Sequence, residues 1–238
     1  MPTFVGMQVL TEFSEGKMLL FDKPLTWTSF NVVSKVRYLT KVKKVGHAGT
    51  LDPLATGLLI VCTGKFTKKI NEYMGMPKEY IGTITLGSTT PSFDLETNPE
   101  NFKDTTHITE QAIIAATEQF KGTILQMPPQ HSAIKKDGKR LYESARLGIV
   151  VEVAARPVTI YAFDIVKIEM PVVHFRVACS TGTYIRSLAN DFGTALGVGG
   201  YMSSLCRTKI GDFNITDATT VTDFIEKIQQ LRANMTSD

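Results

Sequence analysis

The chain has 238 residues, 43% hydrophobic and 21% charged, which excludes a disordered protein and allows one sizeable core. Its net charge of +3 is too small to establish nucleic-acid binding by itself. Three scattered cysteines with no Cys-x-x-Cys argue against zinc and disulfides and fit a reducing cytoplasm, and no apolar run approaches membrane-spanning length or follows a basic N-terminal region.

In chain order, Leu19-Leu20-Phe21 reads as a short buried strand ended by Asp22-Lys23-Pro24. Ser29 can cap a helix running towards Leu39, with Val32, Val33, Val36 and Leu39 on one stripe. Leu58 to Cys62 reads as a buried strand bounded by Gly57 and Gly64, and a short basic helix is expected from Phe66 to Met74. Tyr80 to Leu86 is a strand stopped by Gly87. Residues 88–106 form a polar loop, long enough to favour function or mobility. Thr109 caps the next helix, with Ile108 and Ile113 as a hydrophobic staple and Gly122 as its end. Gln126 to Gly138, with two consecutive prolines, reads as an ordered extended loop, followed by a helix from Lys139 to Leu147. Strands are expected at 149–154, 157–169 and 172–180; in the last, Val173, Phe175, Val177 and Cys179 alternate with polar residues. Thr181-Gly182 turns into a helix with Ile185, Leu188, Ala189, Phe192 and Leu196 on its core stripe, and a final amphipathic helix carries Phe224, Ile228 and Leu231. This order lacks regular βαβ alternation, which predicts an α+β fold with a largely antiparallel mixed sheet flanked by helices.

The most informative stretch is Gly46-His47-Ala48-Gly49-Thr50-Leu51-Asp52-Pro53-Leu54-Ala55-Thr56-Gly57. Pro53 pushes Asp52 towards an extended conformation, and the glycines permit tight turns and close approach of a ligand to backbone. Taken alone, an Asp-Pro beside glycines is usually a turn. Lysines and arginines cluster at Lys35, Arg37, Lys41, Lys43 and Lys44, at Lys65, Lys68 and Lys69, and at Lys135, Lys136, Lys139 and Arg140. Such segregation suits a basic face that meets phosphates, and equally suits solvated helix faces.

The Asp52 run and four other separated blocks carry a resemblance to a known family. The four are Leu19 to Ser29, Lys78-Glu79-Tyr80, the Gln126 to Arg146 pattern, and Cys179-Ser180-Thr181-Gly182-Thr183-Tyr184-Ile185-Arg186. In this order they resemble the TruB branch of the pseudouridine synthases, from about Leu19 to about Gly211. The resemblance implies the pseudouridine synthase catalytic fold, with RNA-binding loops, as a single domain over residues 1–238. It implies an isomerase that flips the T-loop uridine at tRNA position 55 out of the RNA and rearranges its glycosidic bond. Asp52 is then the catalytic carboxylate and Arg186 its cationic partner; from spacing alone, Arg186 could equally lie on a solvated helix face. His47, Tyr80, Tyr184 and Leu205 are implied as substrate-binding residues, Tyr80 by stacking on the target base. By residue type alone, His47 could be structural, the two tyrosines core residues and Leu205 a core leucine.

Pseudouridine formation involves no redox change or hydrolysis, so neither cofactor nor metal is expected. A single pivotal carboxylate also differs from the paired carboxylates of glycosidases. Whether Asp52 attacks the base, attacks the ribose or removes a ribose proton stays open. Thr181 stands where the family usually has lysine, with Arg207 or Lys209 as possible substitutes, and Gly199-Gly200-Tyr201 replaces Gly-Ala-His. Residues 212–238 read as a short tail with a helix, about half what a small domain such as the family's RNA-binding PUA domain needs. The expected protein is a stand-alone, monomeric, cytoplasmic enzyme binding the tRNA T-arm without guide RNA or membrane. The alternatives are an RNA-binding or tRNA-folding protein using the same face, or a pseudouridine synthase for another RNA.

Overall fold

The computed structural model describes residues 11–132, 134–136, 138–145 and 147–236. In chain order the elements are β1 (Met18–Lys23), α1 (Ser29–Thr40), β2 (Val45–Ala48), β3 (Ala55–Thr63), α2 (Ile70–Gly75), β4 (Lys78–Leu86), α3 (Glu110–Ala116) and β5 (Gly122–Gln126). There follow β6 (Lys135–Lys136), β7 (Lys139–Arg140), α4 (Leu141–Ala145), β8 (Arg156–Glu169), β9 (Val172–Cys179), α5 (Ile185–Ala195), β10 (Gly200–Ile210), β11 (Phe213–Asn214), β12 (Thr219–Thr220) and α6 (Val221–Thr236). They form two compact units, Met1–Lys78 with Cys206–Asp238, and Glu79–Leu205. The fold is α+β with a mixed, mainly antiparallel sheet arrangement, as the order of elements predicts.

In the first unit, β12, β1, β3 and the end of β10 lie side by side, with β2 also paired to β3. Strand β3 explains why its sequence is an unbroken apolar run. Leu59 and Val61 enter a core with Phe21, Val32, Val36 and Phe224, while Leu58, Ile60 and Cys62 enter another with Tyr73 and Ile210. A strand covered on both faces has no polar alternation to show. Helix α1 buries the expected stripe, but its cap is Thr28, whose hydroxyl accepts from the Asn31 N–H in a capping box. Ser29 is therefore spared for another task, described below.

In the second unit, the first part of β10, then β4, β9, β8 and β5 lie side by side. Phe120, Phe163, Phe175 and Phe192 pack edge to face in its core, with Phe163 and Phe192 centroids 5.3 Å apart. Two expectations change here. Gly122, at φ 84°, opens an extra strand that pairs with β8 rather than simply ending a helix. Residues 149–154 are not a strand, because the Gln130 side-chain amide, rather than a neighbouring strand, bonds both the N–H and the C=O of Val151, at 2.9 Å each. The expected helix from Lys139 contracts to α4, behind the β6–β7 pair.

Candidate active site

Asp52 opens a β-turn in which the Ala55 N–H donates to the Asp52 carbonyl at 3.1 Å. Pro53 fits the second turn position because its fixed φ matches the one required there. Two clamps hold this turn in place. The Ser29 hydroxyl, buried, accepts from the Leu51 N–H at 2.8 Å and donates to the Leu51 carbonyl at 3.1 Å. The Thr26 N–H donates to the Pro53 carbonyl at 2.8 Å. Asp52 itself is half-buried.

Two buried cations, neither of them expected from the sequence to support this turn, stand behind it. Lys23 is fully buried, and its ammonium donates to the carbonyls of Pro24 at 2.9 Å, Trp27 at 2.5 Å and Pro53 at 3.5 Å. Burial pushes its pKa down to about 8; the Asp52 carboxylate opposes that fall, and Arg207 adds to it. Arg207 is 1% exposed and donates to the carbonyls of Leu58, Gly49 and Thr50 at 2.8, 3.2 and 3.5 Å. It therefore ties the front of the Asp52 run to β3, and it is not a substitute phosphate contact for the lysine missing at Thr181. Gly57 permits this proximity: at φ 103°, any Cβ there would lie 2.4 Å from the Arg207 carbonyl oxygen.

His47 lies in β2, opposite Val61, rather than in a glycine loop. Burial lowers its pKa, the Gly49 backbone partly opposing and Arg207 adding to the effect, so a neutral imidazole is favoured. The first two lysine clusters meet in this unit: Lys41, Lys43, Lys44, Lys65 and Lys68 line a cavity of about 460 Å³ with no carboxylate among the described residues of its wall. The side chains of Lys135, Lys136, Lys139 and Arg140, and residues Ala133 and Arg146 of the quoted pattern, lie outside the described residues.

In the second unit, Arg186 sits in the first turn of α5 but does not point to solvent, being 4% exposed. Its guanidinium donates to the carbonyls of Ser92 at 3.1 Å and His131 at 2.9 Å, and Nε lies 3.6 Å from Asp94 Oδ2. The other Asp94 oxygen accepts the Glu96 N–H at 3.0 Å. The polar loop 88–106 is thus built around buried groups, with Ser92 fully buried and bonded to Thr97. The sequence marked Asp94 only as the start of an acidic stretch running to Asp104, with no role at a site.

Tyr184 is the N-cap residue of α5, and its backbone is held by Gln126. The Tyr184 N–H donates to Gln126 Oε1 at 2.7 Å, and Gln126 Nε2 donates to the Tyr184 carbonyl at 3.0 Å. Tyr80 is 8% exposed and belongs to β4, which has β9 and β10 on its two sides, so it is not on a sheet edge. Leu205, in β10, is also 8% exposed. Among the described residues no helix is long and apolar enough to cross a membrane.

Family models cover the sequence blocks from the Asp52 run onwards, while Leu19 to Ser29 precedes the matched residues. Residues 37–185 match the TruB family pseudouridylate synthase N-terminal domain, and residues 186–237 match the tRNA pseudouridylate synthase B C-terminal domain. Among similar proteins, tRNA pseudouridine synthase B of Flavobacterium johnsoniae is 54% identical over 225 residues, covering 92% of this chain and 98% of the relative. That of Chloroherpeton thalassium is 53% identical over 219 residues, covering 90% and 91%. Among solved structures, a Cbf5-Nop10-Gar1 complex aligns with TM-score 0.71 at 31% identity, over 91% of this chain and 55% of that one. An H/ACA RNP bound to a substrate RNA containing 2'-deoxyuridine also gives 0.71, at 27% identity, over 96% and 57%. The chain thus spans a little over half the length of those two structural relatives. Matched along nearly its whole described length, the chain belongs to the TruB family of pseudouridylate synthases.

Proposed function

We propose that the protein is a tRNA pseudouridine synthase that isomerises the T-loop uridine at position 55, with Asp52 as the catalytic carboxylate. The observation that carries this reading is the Asp52 turn, an aspartate in the family's motif clamped by Ser29, Thr26, Lys23 and Arg207. Holding one carboxylate this firmly suits chemistry that needs a positioned nucleophile or base. The reaction breaks the ribose C1′–N1 bond and forms C1′–C5; the C5 proton leaves and N1 takes one up, so nothing is oxidised or hydrolysed. The uridine must leave its stack for this to happen.

By family resemblance, Arg186 is the partner of the carboxylate, Tyr80 stacks on the base, and His47, Tyr184 and Leu205 contact the substrate. The lysine-lined cavity of the first unit offers cations to RNA phosphates. Substrate recognition is direct, without guide RNA. Relatives at 46–54% identity are named tRNA pseudouridine synthase B, whereas the H/ACA RNP and Cbf5-Nop10-Gar1 structures align at 27–31%. The enzyme works in the cytoplasm as a monomer.

The test is to incubate an unmodified T-arm hairpin with wild-type and Asp52→Asn protein and detect pseudouridine by derivatisation and mass spectrometry. The expected result is product with the wild type and none with Asp52→Asn, while the variant still binds the hairpin. An active Asp52→Asn enzyme overturns the assignment of Asp52, and a wild type without product overturns the function.

A further inference from the structure

Helix α1 has the sequence SFNVVSKVRYLT, with two cations and no carboxylate. Its apolar stripe is buried, yet Phe30 and Tyr38 are 60% and 65% exposed. Beside them lies a cavity of about 490 Å³ lined by Thr26, Trp27, Asn31, Ser34, Lys35 and Tyr38. That volume is within the range of small-ligand sites. Trp27 is half-buried and packs against the core, which fixes its ring. Lys41 lies over the Tyr38 ring, 4.4 Å from its centroid, and restrains it by a cation–π contact. The Asn31 Oδ1 is taken by the Thr28 N–H at 2.8 Å, which leaves the amide Nδ2 donors for the cavity. Thr26, on the rim, has φ 68°, a region that β-branched residues rarely enter. Its N–H bond to Pro53 joins that rim directly to the Asp52 turn.

Two aromatic rings, an amide donor, hydroxyls and a lysine, with no carboxylate among the described residues of the wall, suit an anionic ligand with a flat polar ring. A basic peptide would find no counter-charge there, and a purely apolar partner would leave the donors unsatisfied. We propose that this cavity is an additional nucleobase subsite, taking an unstacked base of the bound tRNA other than the isomerised uridine. The base lies against Trp27 and Tyr38, its edge meets Asn31 and Ser34, and Lys35 takes the adjoining phosphate. This rests on the tRNA reading and names a contact within it.

Trp27 is the only tryptophan of the chain, so its emission reports on this cavity directly. Wild-type protein is titrated with an unmodified tRNA transcript while pseudouridine is measured in the same samples. Saturable quenching is expected, with Tyr38→Ala and Lys35→Gln each weakening tRNA binding roughly 5-fold or more. Tyr38 is exposed and Lys35 partly so, and both variants should keep the wild-type fold by circular dichroism. Wild-type turnover without quenching, or both variants binding with the wild-type Kd, overturns the subsite while leaving the function intact. Saturable quenching by UMP that tRNA does not displace assigns the cavity to a free nucleotide and also overturns it. No pseudouridine from the wild type overturns the tRNA reading instead.

Discussion

Arg186 Nε lies 3.6 Å from Asp94 Oδ2, with the two side chains only 5% and 3% exposed. The guanidinium also donates to the carbonyls of Ser92 and His131, and Asp94 supplies a counter-charge to a cation held away from water. Asp94→Asn keeps the shape and removes that charge. We expect a loss of about 3–5 kcal/mol in unfolding free energy, the range for breaking a buried pair. Urea denaturation of both proteins checks this, and a loss below about 1 kcal/mol contradicts it.

Ser29 bonds both backbone groups of Leu51, the residue before Asp52. Ser29→Ala leaves a buried N–H without its acceptor, at a cost of about 1–3 kcal/mol. It also frees the front of the Asp52 turn, so single-turnover isomerisation should slow while the Kd for the T-arm holds. A variant whose affinity falls and whose rate does not would show that Ser29 acts on binding instead.

Lys23 gives stability a pH dependence of defined sign. In the unfolded chain its amine holds a proton up to about 10.5; folded, it releases it near 8. Between those values the unfolded state binds more protons, so unfolding free energy rises with pH, by at most about 1.4 kcal/mol per pH unit. Below pH 8 the buried charge opposes folding in full. The stability of wild type relative to Lys23→Met should therefore grow from pH 8 to pH 10 in urea melts; a constant difference rules the shift out.

Gln126 meets the Tyr184 N–H and C=O with both ends of its amide and is 2% exposed. Gln126→Ala should release the start of α5. Hydrogen exchange at the Tyr184 amide should speed up at least 10-fold, while the Val177 amide in β9 keeps its protection. Equal acceleration at both would indicate global destabilisation rather than a local tether.

Much of the fold was legible because it follows local rules. The stripe of α1, the alternation in β9 and the apolar run of β3 are all periodicities of the chain itself. The misreadings have nonlocal causes. Residues 149–154 read as a strand, but Gln130, some twenty residues earlier, satisfies the Val151 backbone. Ser29 read as a cap, but its hydroxyl is drawn to Leu51. For Arg186, spacing left a solvated helix face and a partner role equally open, and the loop carrying Ser92 and Asp94 buries it.

The sequence by itself determined the turn at Asp52, since Pro53 and the flanking glycines restrict backbone angles wherever they occur, and with it the family. Only the tertiary structure decided what surrounds that turn. Lys23, Ser29 and Arg207 are 29, 23 and 155 positions from Asp52 in the chain, and nothing in their local sequence marks them as its support. Their placement follows from strand pairing and burial, where a charge removed from water must find carbonyls or a counter-ion close by.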